Sequence, residues 1–431
     1  MQNYYKRSSF NLGYLGLFAY FTIYMIASTL NFFIISYFNF KPSSVLSFRV
    51  EDGWCDPDTQ GIGSHCFGDF YYTLRFISRV NPWSLEANPY PPFALMIFKP
   101  FEFLASQFPA NNYGLIAYLV FLLVMLLITP IILVVNKSIS KSTGLLACVL
   151  IISSAPSLVA LDRGNIVILC FPFLCFFFLN IFSGNDWKAL LFLTFVVLIK
   201  PQSILLGILF LRKGELLSGL KKIALSVTIL CLTFLIYGFN ALAVFSSFVK
   251  QIMNFQTYSI SGSFSPINIS ISNSVQLFSE QILGITVHRH LLTLTATIIL
   301  IAGLCYVYTK FDSAKIQCII IATVITITFP SVSFHYYLIY ILALSVSIFL
   351  ILMGKNHLNQ INVDEPGSYF GLRKLLFLSL IAFVPWQIPL NLFTNRTGTD
   401  LSFHWILTSF LIILVAIPLT MSKNEKSALS S

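Results

Sequence analysis

The chain has 431 residues, of which 57% are hydrophobic and only 10% charged, with a mean hydropathy of +0.82 and a formal net charge of +10. A soluble domain carries about a quarter charged residues, so water cannot be the solvent for most of this surface and a soluble enzyme is excluded. Lipid must take its place, and a segment in lipid has to satisfy its own backbone hydrogen bonds, which leaves helices or a closed barrel.

The apolar runs are mostly about 16–25 residues long and lack the alternation of barrel strands, so they read as helices. The first, 12–40, is too long and too aromatic for a cleavable signal peptide, has no small-residue cleavage site after it, and reads as a retained span. A polar segment from Lys41 to about Asn111 follows, and within it Pro91 to Gln107 is an amphipathic piece interrupted by Lys99 and Glu102, expected to lie in the interface. Further spans are expected at 112–136, 143–161 and 165–182. The run 188–212 is broken by Lys200-Pro201-Gln202. Proline removes a backbone donor and a lysine at membrane depth is costly, so two half-length helices meeting at a polar turn fit better than one straight helix. After a span at 223–240 comes a second long polar segment, Ala241 to His290, and then spans at 291–308, 316–334, 336–353, 375–392 and 402–421. The expectation is an all-α integral membrane protein, a polytopic bundle of about twelve transmembrane helices, forming one domain over 1–431 with interfacial helix in the first loop, 41–111.

Basic residues set the orientation. With both termini in the cytoplasm, 16 of the 26 basic residues and 6 of the 16 acids fall on the cytoplasmic side. The net positive charge then faces anionic lipid headgroups, and nucleic acid is not needed to account for it. The two long polar segments lie on the extracytoplasmic side of a cell membrane, expected to be a bacterial inner membrane. Six cysteines (Cys148, Cys170, Cys175, Cys231, Cys305 and Cys318) sit in apolar runs and read as small hydrophobic fillers. Cys55 and Cys66 share the first loop and can pair as a disulfide if that loop meets an oxidising compartment. Zinc is a weaker alternative, because only His65 is nearby.

Five pieces carry polar groups that could do chemistry: Gly68-Asp69-Phe70-Tyr71-Tyr72, Asn88-Pro89-Tyr90-Pro91-Pro92-Phe93, Asp162-Arg163-Gly164-Asn165, Lys200-Pro201-Gln202, and Pro330 through Tyr337 with His335. In the topology above, all five converge on the outer half of the membrane.

At these positions the sequence resembles glycosyltransferase family 87, polytopic mannosyltransferase-like enzymes of the GT-C superfamily. The pieces that carry the resemblance are GDFYY, NPYPPFALMIFKP, LDRGNIVIL, LIKPQSILL with RK following, and FPSVSFHYYLIY, in the family's order and with similar spacing. The resemblance implies transfer of a hexose, mannose being the family's best-known sugar, from a polyprenyl-phosphate donor to a lipid or glycan acceptor on the extracytoplasmic face, with inversion. Asp69 matches the family's first-loop acid and is expected to act as general base. The leaving phosphate needs cationic or hydrogen-bonding partners, for which Arg163, Lys200 and His335 are the candidates, with Tyr72 and Gln202 as secondary donors. A single acid sets no requirement for metal, and no cofactor is expected, the lipid-linked sugar being a substrate.

Each assignment has a plainer competitor. Asp56 and Asp58 form a rival DxD pair between the two loop cysteines. Arg163 can snorkel to headgroups, and His335 can belong to an aromatic belt with its neighbouring tyrosines. Two other functions are compatible with the composition: a lipid-linked saccharide transporter or flippase, and an outer-face polysaccharide polymerase or ligase. Polar groups clustered on one face disfavour the first, and a second outer segment with only Lys250 and Arg289 as basic residues disfavours the second.

Overall fold

The computed structural model describes residues 67–353, apart from 78, 80, 85–88, 109–111, 262–269, 273–274, 277–278, 280–283, 286–288, 313–314 and 331–334. The expected spans at 12–40, 375–392 and 402–421, the cysteine pair Cys55 and Cys66, and Asp56 and Asp58 lie outside the described residues. Within them the protein is helical, with no strand.

The first loop contributes α1 (Gly68–Ile77) and α2 (Pro92–Gln107), the latter opening on a proline as a helix start allows. Then come α3 (Tyr113–Val135), α4 (Lys141–Ser153), α5 (Ala155–Asp162), a 3-10 turn (Ile166–Leu169), α6 (Cys170–Ser183) and α7 (Asp186–Ile199). A ten-residue 3-10 segment, Pro201–Phe210, leads to α8 (Leu216–Leu232), a second 3-10 segment (Thr233–Asn240) and α9 (Ala241–Ser261). The described chain closes with α10 (Arg289–Lys310), α11 (Lys315–Thr328), a 3-10 turn (His335–Leu338) and α12 (Ile339–Met353).

Among the described residues, four stretches are long and apolar enough to cross a membrane: Tyr113–Val135, Ile166–Ser183, Leu216–Asn254 and Thr293–Lys310. Lys141–Ile152, Pro201–Phe210, Gln317–Thr328 and Ile339–Ile351 are shorter apolar helices. At about 1.5 Å per residue, such pieces fall short of the roughly 30 Å hydrocarbon core. The first ends at the break at Ser154 and the second starts at the break at Lys200, where the backbone leaves helical geometry.

Helix α6 is the centre. Its residues Cys170, Phe171, Leu174, Cys175, Phe177, Phe178 and Ile181 are fully buried, and its most extensive partners are α7 and α12. A helix apolar on all sides belongs inside a bundle. By contrast, Leu217, Leu235, Phe239 and Leu242 on the α8–α9 arm are exposed, as lipid-facing side chains are. Close helix approach uses small residues: a Cβ at Gly114 of α3 would lie 2.5 Å from the Phe101 carbonyl oxygen of α2. At the end of α7 away from Lys200, Asp186 is bound by Arg212 (2.8 Å) and Lys222 (2.7 Å), which ties α7, the following 3-10 segment and α8 together.

Two sequence expectations change in detail. The start of the second polar segment is helical, because α9 follows the 3-10 segment with only Gly238, at φ 59°, interrupting helical geometry. Of the six cysteines read as small hydrophobic fillers, Cys170, Cys175 and Cys318 are buried, Cys148 is half-buried, and Cys231 and Cys305 face outward. In a bilayer an apolar run carries no signal for which side faces protein and which faces lipid.

Candidate active site

The site is built where α1 docks on the turn after α5. Gly164 adopts φ +61°, a left-handed conformation, and a Cβ there would come within 3.0 Å of the Phe70 Cβ of α1. Only glycine takes both the backbone and the contact without strain. The turn thereby presents Arg163 and Asn165 side by side. The α1 backbone is sewn to it, Asp69 N–H donating to the Arg163 carbonyl at 3.0 Å. Phe70, fully buried, stacks on Tyr118 of α3 with ring centroids 4.8 Å apart and fixes the docking from the other side.

Asp69 is therefore held by three side-chain hydrogen bonds. Arg163 Nε donates to Oδ2 at 3.2 Å and Arg163 Nη2 to Oδ1 at 3.0 Å. Asn165 Nδ2 donates to Oδ2. The pair is only partly shielded, with the Arg163 and Asp69 side chains 21% and 18% exposed. Burial pushes the Asp69 carboxyl up. The Arg163 charge and hydrogen bonds, the Asn165 hydrogen bond and the charge of Lys200 outweigh it and hold the group below its ordinary value.

Lys200 occupies the break between α7 and the Pro201–Phe210 segment, as the apolar run with proline predicts. It is 5% exposed. Its ammonium lies 4.5 Å from the Tyr90 ring centroid and 5.3 Å from that of Tyr337. Two aromatic faces stabilise a desolvated cation, and Tyr90 links this half of the site to the other, its hydroxyl 3.4 Å from Asn165 Nδ2. Tyr90 is itself fixed through its carbonyl, which accepts from Trp83 Nε1 at 3.1 Å. Gln202 lies close to the Tyr337 hydroxyl, and Ser203 pairs with the Tyr340 hydroxyl.

The five sequence pieces thus meet in one place: Asp69 from the first, Tyr90 from the second, Arg163 and Asn165 from the third, Lys200 and Gln202 from the fourth, Tyr337 from the fifth. Tyr72 lies one turn beyond Asp69, 36% exposed, its ring edge-on to Phe76 at 4.8 Å. His335 opens the 3-10 turn that carries Tyr337, and its side chain is outside the described residues. Among the described residues no three His, Cys, Asp or Glu side chains gather where they could share a metal ion. The functional candidates that sequence reasoning did not single out are Asn165, Tyr90 and Tyr337. Each sat inside a quoted motif, but amides and tyrosines are common near helix ends and carried no charge to mark them.

Apolar helices are thus broken where a carboxylate and two cations assemble, which gathers polar groups inside a bundle otherwise built for lipid. A model of glycosyltransferase family 87 matches residues 88–332, more than half of the chain, so the protein belongs to that family and is a membrane glycosyltransferase. No curated protein and no solved structure matches it.

Proposed function

We propose that the protein transfers a hexose, mannose first among the candidates, from a polyprenyl-phosphate donor to a lipid or glycan acceptor on the extracytoplasmic face, with Asp69 as general base. The observation that carries this reading is the division of the site: a carboxylate that keeps some exposure, Asp69, on one side of Tyr90 and a buried ammonium, Lys200, on the other. The acceptor oxygen loses its proton to Asp69 and bonds to the anomeric carbon, while the bond from that carbon to the phosphate oxygen breaks and its electron pair leaves with the phosphate. One carboxylate acting on the acceptor in a single displacement inverts the anomeric centre.

Lys200 is the proposed partner of the leaving phosphate, together with Gln202, two residues on in the chain, and His335, from the turn that carries Tyr337. Tyr72 offers a further hydroxyl near Asp69. Arg163 serves both halves in this scheme. While Asp69 is ionised the two charges offset each other. Once Asp69 is protonated, the guanidinium charge is left to act on the phosphate just as that group becomes more negative. The depressed basicity of Asp69 is the cost of that arrangement.

Transfer of radiolabelled sugar by purified protein tests the proposal, with polyprenyl-phosphate-mannose and polyprenyl-phosphate-glucose as donors and host membrane lipid extract as acceptor. The wild type is expected to label lipid from at least one donor, and Asp69→Asn to lose at least about a hundredfold in turnover while remaining inserted and folded. Near-normal turnover in Asp69→Asn removes the base assignment.

A further inference from the structure

We propose that Asn165 is a positioning residue for Asp69, and that it leaves Asp69 Oδ1 as the atom that accepts the acceptor's proton. The inference rests on the reading of Asp69 as the base and specifies how that base is aimed.

Asn165 has no freedom to do otherwise. It is fully buried. Its Oδ1 accepts the Val167 backbone N–H at 2.9 Å and caps the 3-10 turn, while its own N–H donates to the Ala160 carbonyl at 2.8 Å. Because a backbone donor can meet only the amide oxygen, the orientation of the amide is settled, and Nδ2 is the group that faces Asp69 and the Tyr90 hydroxyl.

The two carboxylate oxygens are consequently unequal. Each offers about two lone-pair sites. Oδ2 receives Arg163 Nε and Asn165 Nδ2, which fills both, whereas among the described residues Oδ1 receives Arg163 Nη2 alone. The remaining site on Oδ1 is where a substrate hydroxyl can donate: its O–H bond breaks, an Oδ1–H bond forms, and the freed electron pair goes into the new bond to the anomeric carbon. Arg163 by itself would fix the plane of the carboxylate as a two-pronged pair. Asn165 adds a bond to one oxygen only, and without adding charge. The charged groups acting on Asp69 are Arg163 from the turn and Lys200 from the break after α7, and the hydroxyls of Tyr118 on α3 and Tyr337 before α12 feel the Asp69 charge in return. Tyr90 reaches it through Asn165.

The test uses variants that keep the cap and remove the donor. In Asn165→Ser and Asn165→Asp a side-chain oxygen can still accept from Val167 N–H, but neither offers an N–H to Asp69. Loss of a hydrogen bond to the ionised form favours the protonated one. The acid limb of kcat/KM against pH is therefore expected to move to higher pH in Asn165→Ser, and further in Asn165→Asp, where a second carboxylate adds like charge. At a pH just below the wild-type limb, kcat/KM should fall about tenfold or more. Thermal unfolding in detergent shows whether each variant is folded, and one folded variant suffices for the test. A limb that stays in place in a folded variant overturns the proposal. Unfolding of both makes the Nδ2 bond a structural requirement, which also overturns it. Asp69→Asn separates the two levels of the argument. If it stays active, the base reading itself has failed. If it is inactive while the limb of Asn165→Ser has not moved, the base stands and the positioning role falls.

Discussion

Replacing Lys200 by methionine keeps the length and apolar stem of the side chain and removes its charge. Placing a lysine at membrane depth costs about 2.5–3.5 kcal/mol. Against this, the two tyrosine faces at 4.5 and 5.3 Å each contribute about 2 kcal/mol to a desolvated cation. The two effects leave a difference of about 1 kcal/mol, so Lys200→Met should melt within a few degrees of the wild type. Function should respond differently. If the ammonium donates to the leaving phosphate, the lost charge-assisted hydrogen bond is worth about 1.5–3 kcal/mol, a fall in kcat/KM of roughly ten- to more than a hundredfold. Thermal unfolding in detergent, together with radiolabelled transfer at varied donor concentration, measures both. The reasoning is refuted if Lys200→Met loses several kcal/mol of stability while each folded molecule turns over at the wild-type rate. Lys200 would then be a structural cation, and the intramembrane break would exist to accommodate it rather than the donor.

Three further outcomes are expected. Gly164→Ala places a Cβ in a left-handed residue at 3.0 Å from the Phe70 Cβ. It should cost about 1–2 kcal/mol from the backbone alone and lower transfer more than it lowers the melting temperature, since Arg163 and Asn165 flank it; transfer normalised to folded protein checks this. Gly114→Ala brings a Cβ to 2.5 Å from the Phe101 carbonyl oxygen, and overpacking of the α2–α3 contact should destabilise by about 1–3 kcal/mol, read by thermal unfolding. For pH, the Asp69 carboxyl is held below its ordinary value. The stabilisation that goes with its ionised form is therefore complete above the unfolded aspartate pKa of about 3.9, and is lost as pH falls through the lower folded value. Transfer should accordingly persist as pH is lowered into the ordinary aspartate range, and Arg163→Gln should bring the acid limb up; a pH profile of kcat/KM in which Arg163→Gln leaves the limb unmoved contradicts the electrostatic account.

The amino-acid sequence by itself determined what depends on local properties. Hydropathy required lipid and helices, and a lysine next to a proline at positions 200–201 required the break that separates α7 from the 3-10 segment. The order of five short motifs was enough to suggest the family, and the match over residues 88–332 shows it. Sequence also made Arg163 and Lys200 visible, because charges are rare in a chain that is 10% charged, and Asp69 visible through its place in the first motif. What only the tertiary structure decided is who faces whom. The Arg163 guanidinium is turned on Asp69, 94 residues away in the chain. That pairing depends on how closely α1 can approach a turn whose glycine has no Cβ. The flanking of Lys200 by Tyr90 and Tyr337, and the aim of Asn165 at one oxygen of Asp69, are likewise products of docking. Hydrophobic pattern and helix breaks are written residue by residue, but the direction of a polar side chain is set by the partner that packing brings to it.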